Sequence, residues 1–176
     1  EPGFGYVRVG SFQAATANDF AKALDALQKD APLRGLLLDL RSNPGGLLVG
    51  AVQIADELLD KGGIVSTRGR ALIGDSRFDA TLDDRLEGAP VVVLVDAGSA
   101  SAAEVLAGAL LDNRRARVVG SRTFGKGSVQ TLLPLDNGDS VKLTTARYYT
   151  PGGHSIQARG IVPDVVLKPE VAKDAE

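Results

Sequence analysis

The sequence predicts an α/β fold built on parallel strands, and three observations predict it. Short apolar runs of strand type alternate along the chain with segments of helical period. Two of those runs, "RGLLLDL" (34–40) and "APVVVLVD" (89–96), are continuously apolar, as buried strands are. After residue 127 the pattern turns strand-rich around the turn "DNGD", which adds a β-hairpin to the core.

Taken in order, "FGYVRV" (4–9) is apolar on alternate residues and reads as a half-buried strand. "TANDFAKALDALQKD" (16–30) reads as a helix, with Phe20, Ala23, Leu24 and Leu27 on one face and Thr16 with Asp19 as its cap. The strand at 34–40 leads through the turn "RSNPGG" into a second helix, "LLVGAVQIADELLD" (47–60), which Gly62-Gly63 should end. "GIVSTRG" (63–69) is a strand, whereas residues 70–88 are polar and support no assignment. The strand at 89–96 is followed by a small-residue helix, "SASAAEVLAGALLDN" (99–113), and a strand, "ARVVGS" (116–121). The hairpin pairs "SVQTLLPL" with "SVKLTTARYYT", and "IVPDVVLKP" closes the chain. We expect one domain over residues 1–168 and a frayed polar tail over 169–176.

Composition excludes several chemistries. With 44% apolar and 24% charged residues, the chain is an ordinary globular one. A net charge of −2 and the lack of a basic, aromatic-laced stripe give no reason to expect a nucleic-acid partner. No apolar run reaches the ~18 residues of a membrane span. The chain begins at Glu1 rather than Met, so the lack of a visible leader says nothing of the compartment. Zero cysteines exclude disulfides and thiolate chemistry, and a single histidine, His154, excludes a His-cluster zinc site. No cofactor or metal is implied.

The stretch "GSRTFGKGSVQ" (120–130) approaches a phosphate loop and then departs from it. Gly127 stands where that loop needs Ser or Thr for magnesium, and a strand follows where a helix N-terminus is required. Lys126 is therefore either a surface lysine or one turned inward by Gly125 and Gly127 for other chemistry.

A partner for it stands at the head of the third helix. Residues 91–110 read as buried strand, tight turn and helix, which places residues 99–102 at a helix N-terminus beyond the carboxyl end of a strand, where open α/β sheets carry their sites. Ser101 with Glu104 fits a capping box, and Ser99 also suits an N-cap. Ser101 also suits a nucleophile, with helix amides near a developing oxyanion. Such a serine needs a base. His154 lies in a glycine-rich turn with no adjacent carboxylate to orient it, which leaves Lys126. Lysine serves as a base where an apolar pocket desolvates it, and Phe124 could supply one. Gln130 could orient the amine without adding charge. The turn Asn43-Pro44-Gly45-Gly46 offers backbone amides for an oxyanion and also serves as an ordinary strand-to-helix turn; Asp39 and Arg41 fit a local ion pair.

"DLRSNPGG", "GSASAAE", "FGKGSVQ" and "YYTPGGHSIQARGIVPD", in this order, resemble the C-terminal processing peptidases, or tail-specific proteases. The resemblance runs from about Gly5 to Asp164. It implies Ser101 as nucleophile, Lys126 as general base and Gln130 holding the lysine. It further implies an oxyanion hole from the Ala102 amide and one of Gly45 and Gly46, with Glu104 in support. The fold implied is the twisted ββα spiral of crotonases and the Clp protease, carrying the extra hairpin. Implied partners are unfolded or tagged polypeptides with apolar C-termini, and homo-oligomers or activator proteins in the whole protein. A periplasmic or otherwise exported setting is also implied. The family's PDZ domain has no counterpart in these residues, so this chain is expected to be the catalytic core alone. The alternatives are a catalytically silent peptide- or apolar-ligand-binding relative of the same fold, or, by fold analogy only, an acyl-CoA enzyme.

Overall fold

In the computed structural model, residues 2–69, 75–81 and 83–167 are described. The expected tail at 169–176 lies outside them. Five parallel strands form the central sheet: β1 (Phe4–Arg8), β2 (Gly35–Asp39), β5 (Val91–Val95), β6 (Ala116–Gly120) and β9 (Val165–Val166), side by side in that order. Between them run α1 (Thr16–Leu27), α2 (Leu48–Asp56) and α3 (Ala102–Asp112). Each crossover advances in the same direction across the sheet, so right-handed connections place all three helices on one face. There α2 packs on both α1 and α3.

A second, antiparallel sheet holds β3 (Gly63–Gly69), β4 (Ser76–Asp79), β7 (Ser128–Pro134) and β8 (Ser140–Tyr149), in the order β4-β3-β8-β7. The expected hairpin is β7–β8, with Asn137 and Gly138 in its turn. It is not a separate appendage, because β8 pairs with β3 over Ser66–Gly69. The α/β class thus stands, with β4 arising inside the stretch that the sequence left unassigned.

Two local expectations are corrected. Helix α1 has Ala15 at its N-cap and no side-chain cap. The Thr16 hydroxyl instead accepts the Gln13 amide at 2.9 Å, closing the turn before the helix. Helix α2 stops at Asp56, and the chain passes through Leu58 and Leu59, both buried, before Gly62 turns it into β3. Burial of those leucines outweighs helical continuation.

Helix α3 is the centre of the molecule: every residue from Ala102 to Leu110 is buried. Its alanines and Gly108 allow close approach. A side chain at Gly108 would press on Thr150 and Ile161. A helix enclosed on all sides holds its N-terminus in a fixed place.

Candidate active site

The chain leaves β5 at Val95 and enters α3 through Asp96–Ser101. Ser101 sits at the turn with φ 57° and ψ −116°, a region that non-glycine residues rarely occupy. Such strain costs about 1–3 kcal/mol and persists only where the surroundings over-determine it.

Those surroundings are visible. Asp96 accepts the amides of Ser42 and Gly98 at 2.8 and 2.9 Å, and the Ser42 hydroxyl at 3.1 Å. Burial alone would raise its carboxyl, but these hydrogen bonds, with that of Ser99, outweigh it and hold the group below its ordinary value. Ser99 does not cap α3. Its hydroxyl, fully buried, donates to the Leu40 carbonyl at 2.8 Å and ties the elbow to the end of β2. Ser101 occupies the N-cap position, and its amide donates to Glu104 Oε2 at 2.8 Å. The cap and the half-buried turn serine are therefore one residue.

Glu104 is fully buried and accepts four hydrogen bonds. Oε1 takes the Thr123 hydroxyl at 2.6 Å and the Gly125 amide at 2.7 Å. Oε2 takes the amides of Ser101 and Lys126, each at 2.8 Å. Two such bonds to one oxygen bring the backbones of Ser101 and Lys126 within about twice that distance of each other. The structure thus unites two residues 25 positions apart.

The loop bearing Lys126 is held on its other flank as well. The Thr123 amide donates to the Ile161 carbonyl, Phe124 to Ser99, and Gly127 to Gln157 Oε1 at 3.0 Å. Gly127 lies so close to the Gln157 backbone that no side chain fits there. The Lys126 side chain is exposed and makes no hydrogen bond or ion pair with described residues. Gln130 is exposed on β7, just after an irregularity in its pairing with β8. No hydrogen bond joins Lys126 Nζ to Ser101 or to Gln130.

The turn after β2 packs directly on the elbow. Ala100 donates to the Asn43 carbonyl at 2.8 Å, and a Cβ on Gly45 would stand 2.7 Å from that of Ser101. Asn43, fully buried, donates to the Val9 carbonyl at 2.7 Å and accepts the Gly45 amide at 2.8 Å. The neighbouring peptide faces the other way. Phe12 pairs with the Gly45 carbonyl and the Leu47 amide, which turns the exposed Gly46 amide away from Phe12 and leaves it without a partner among the described residues. The Ala102 amide, first in its helix, likewise has none. Beneath the turn, the expected Asp39–Arg41 pair is present and bidentate, at 2.9 and 2.7 Å, with the Tyr6 hydroxyl donating to the same carboxylate.

Sequence reasoning therefore brought Ser101, Ala102, Glu104, Lys126 and the two glycines to one place, and missed the residues that hold them there. Thr123 and Gln157 gave no signal. The Asx turn of Asn43 in "NPGG" was the one available clue.

The sequence profile described as peptidase family S41 matches residues 3–167. The chain is 50% identical over 171 residues to a carboxy-terminal-processing protease of Bartonella bacilliformis, covering 96% of this chain and 39% of that protein. It is 44% identical over 172 residues to the chloroplastic C-terminal processing peptidase of Tetradesmus obliquus, covering 95% of this chain and 36% of that one. It therefore spans about two fifths of the length of these curated relatives. Among solved structures, the photosystem II D1 C-terminal processing protease superposes with a TM-score of 0.87 at 43% identity, over 96% of this chain and 43% of that one. The tricorn protease shares the fold alone, with a TM-score of 0.60 at 17% identity. With the profile spanning nearly the whole chain, and relatives of half-identical sequence along the same residues, this chain belongs to peptidase family S41.

Proposed function

We propose that the chain is the catalytic core of a serine peptidase that cleaves polypeptides at or near their C-termini. The observation that carries this is the shared Glu104 carboxylate, which sets a strained turn serine beside a lysine loop. Ser101 Oγ attacks the substrate carbonyl carbon while its proton passes to the neutral Lys126 amine. The oxyanion so formed accepts the Ala102 amide and a glycine amide; Gly46 is the readier donor, since the Gly45 amide would first have to leave Asn43. Collapse breaks the peptide C–N bond, and the protonated Lys126 returns its proton to the leaving amine. Water, deprotonated by Lys126, then cleaves the acyl-Ser101 ester.

Lysine acts as a base only as the free amine, and desolvation favours that form. The exposed Lys126 side chain therefore gives an apolar substrate segment a second task, that of covering the amine. The relatives named as C-terminal processing proteases support cleavage at C-termini. Gln130, on the same arm, orients the amine once it is covered.

Covalent labelling by a serine-directed fluorophosphonate, read as intact mass between pH 6 and 10, tests this on wild type, Ser101→Ala and Lys126→Ala. A single adduct in wild type, lost in both folded variants, is expected. Undiminished labelling of a folded Lys126→Ala variant overturns the assignment. No labelling of any protein, with folding confirmed, favours a silent relative.

A further inference from the structure

A cleft of about 370 Å³ lies beside the other end of α3, at Leu111 and Asp112. That is some ten residues, or roughly 15 Å, along the helix from Ser101, and the volume is within the range of small-ligand sites. Thr150 and Ser155 line it, and their hydroxyl oxygens are the only buried side-chain polar atoms among the described residues without a hydrogen-bond partner. Thr150 is just 6% exposed, and its methyl lies against Gly108 of α3. Buried hydroxyls without partners are costly, and two among the residues of one cleft are an unmet demand beside it.

The rim is cationic. Arg122 and Arg159 both line the cleft, and neither forms an ion pair among the described residues. The single acid on the wall, Asp112, has one oxygen engaged by the Gly152 amide at 2.8 Å. Ile156 and Ile161 give the interior an apolar side. Guanidinium groups favour planar carboxylates, and an apolar wall beside them favours an organic acid over an inorganic anion.

We propose that this cleft binds a small carboxylate with a short apolar body, its head held by Arg122, Arg159 and the two hydroxyls. The same chemistry is offered by a free branched short-chain acid and by the last residue of a polypeptide. The cleft also adjoins the strap that holds the lysine loop, through Ala158 to Gly125 and Ile161 to Thr123. The inference goes beyond the peptidase reading and does not depend on it.

Binding is read by thermal shift and calorimetry on Ser101→Ala, which rules out turnover. The probes are isovalerate, isovaleramide, inorganic phosphate, and an acetylated tripeptide ending in valine as acid or amide. The acids are expected to raise the melting temperature with concentration, as any ligand of the native state does. The amides should bind at least about tenfold more weakly. Adding Arg122→Gln and Arg159→Gln together should abolish the shift. Adding Thr150→Val should weaken it while leaving the free protein at least as stable. A peptide acid that binds more tightly than isovalerate identifies a polypeptide terminus, and equal affinities identify a free acid. The proposal fails if the amides match the acids or phosphate matches isovalerate. It fails equally if binding survives loss of both arginines, or if no acid shifts melting at millimolar concentration.

Discussion

The N-terminal end of α3 and the β7–β8 arm are built on opposite terms. At the helix end, Asn43, Ser99, Glu104 and Thr123 are buried, and each bonds to partners distant in sequence. Along the arm nearly every residue from Thr131 to Thr144 is exposed, including Leu132, Leu133, Val141 and Leu143, and the side-chain bonds are the Thr131–Thr145 pair and those within the turn. Lys126 belongs to both: its amide is fixed by Glu104, while its amine stands free at the root of the arm. On the proposed assignment, the core determines where Ser101 lies, and whatever covers the arm determines when Lys126 acts.

The sharpest way to break this contrast is to remove the carboxylate that joins its halves. Glu104→Ala orphans four donors, each costing about 1–3 kcal/mol when buried and not fully additive. We expect a loss of about 4 kcal/mol or more, or failure to fold, by denaturant unfolding. Glu104→Gln should fold with part of that loss and show much reduced fluorophosphonate labelling of Ser101. A stable, fully reactive Glu104→Ala protein would show that other contacts pin the loop.

A smaller effect lies beneath the Asn43–Gly46 turn. The Arg41 guanidinium, aided by the Tyr6 hydroxyl, holds the Asp39 carboxyl well below the usual carboxylate range. The unfolded chain thus binds this proton at higher pH than the folded one. The stability contributed is present above about pH 4 and is lost as pH falls further. Asp39→Asn should cost about 2 kcal/mol at neutral pH, as for a hydrogen bond to a charged group. Its stability should also change less between pH 5 and 2 than that of wild type. Parallel acid limbs for the two proteins would remove Asp39 from the account.

The smallest effect on stability, and the most telling for the arm, is expected from Leu132→Ser with Leu143→Ser. Leu132 is 64% exposed and Leu143 46%, so the pair should change stability by no more than about 0.5 kcal/mol. If the arm helps to cover Lys126 when substrate binds, KM for an apolar peptide should rise severalfold, with labelling by a small fluorophosphonate unchanged. Unaltered peptide kinetics would move that cover elsewhere.

The sequence by itself determined the alternating architecture, the strand-turn-helix that carries Ser101 at its turn, the hairpin with its turn, and the lysine between two glycines. Each is written in neighbouring residues, through hydrophobic period, turn chemistry or spacing. Only the tertiary structure decided that Ser99 anchors the turn rather than capping the helix, and that Glu104 joins the two loops. It alone left the Gly46 amide without a partner among the described residues while Asn43 holds that of Gly45, and it seated Gly127 on Gln157. One physical reason lies behind the buried contacts among these. A buried polar group must find a partner, and that partner is fixed by the packing of the two sheets around α3 rather than by anything within reach along the chain.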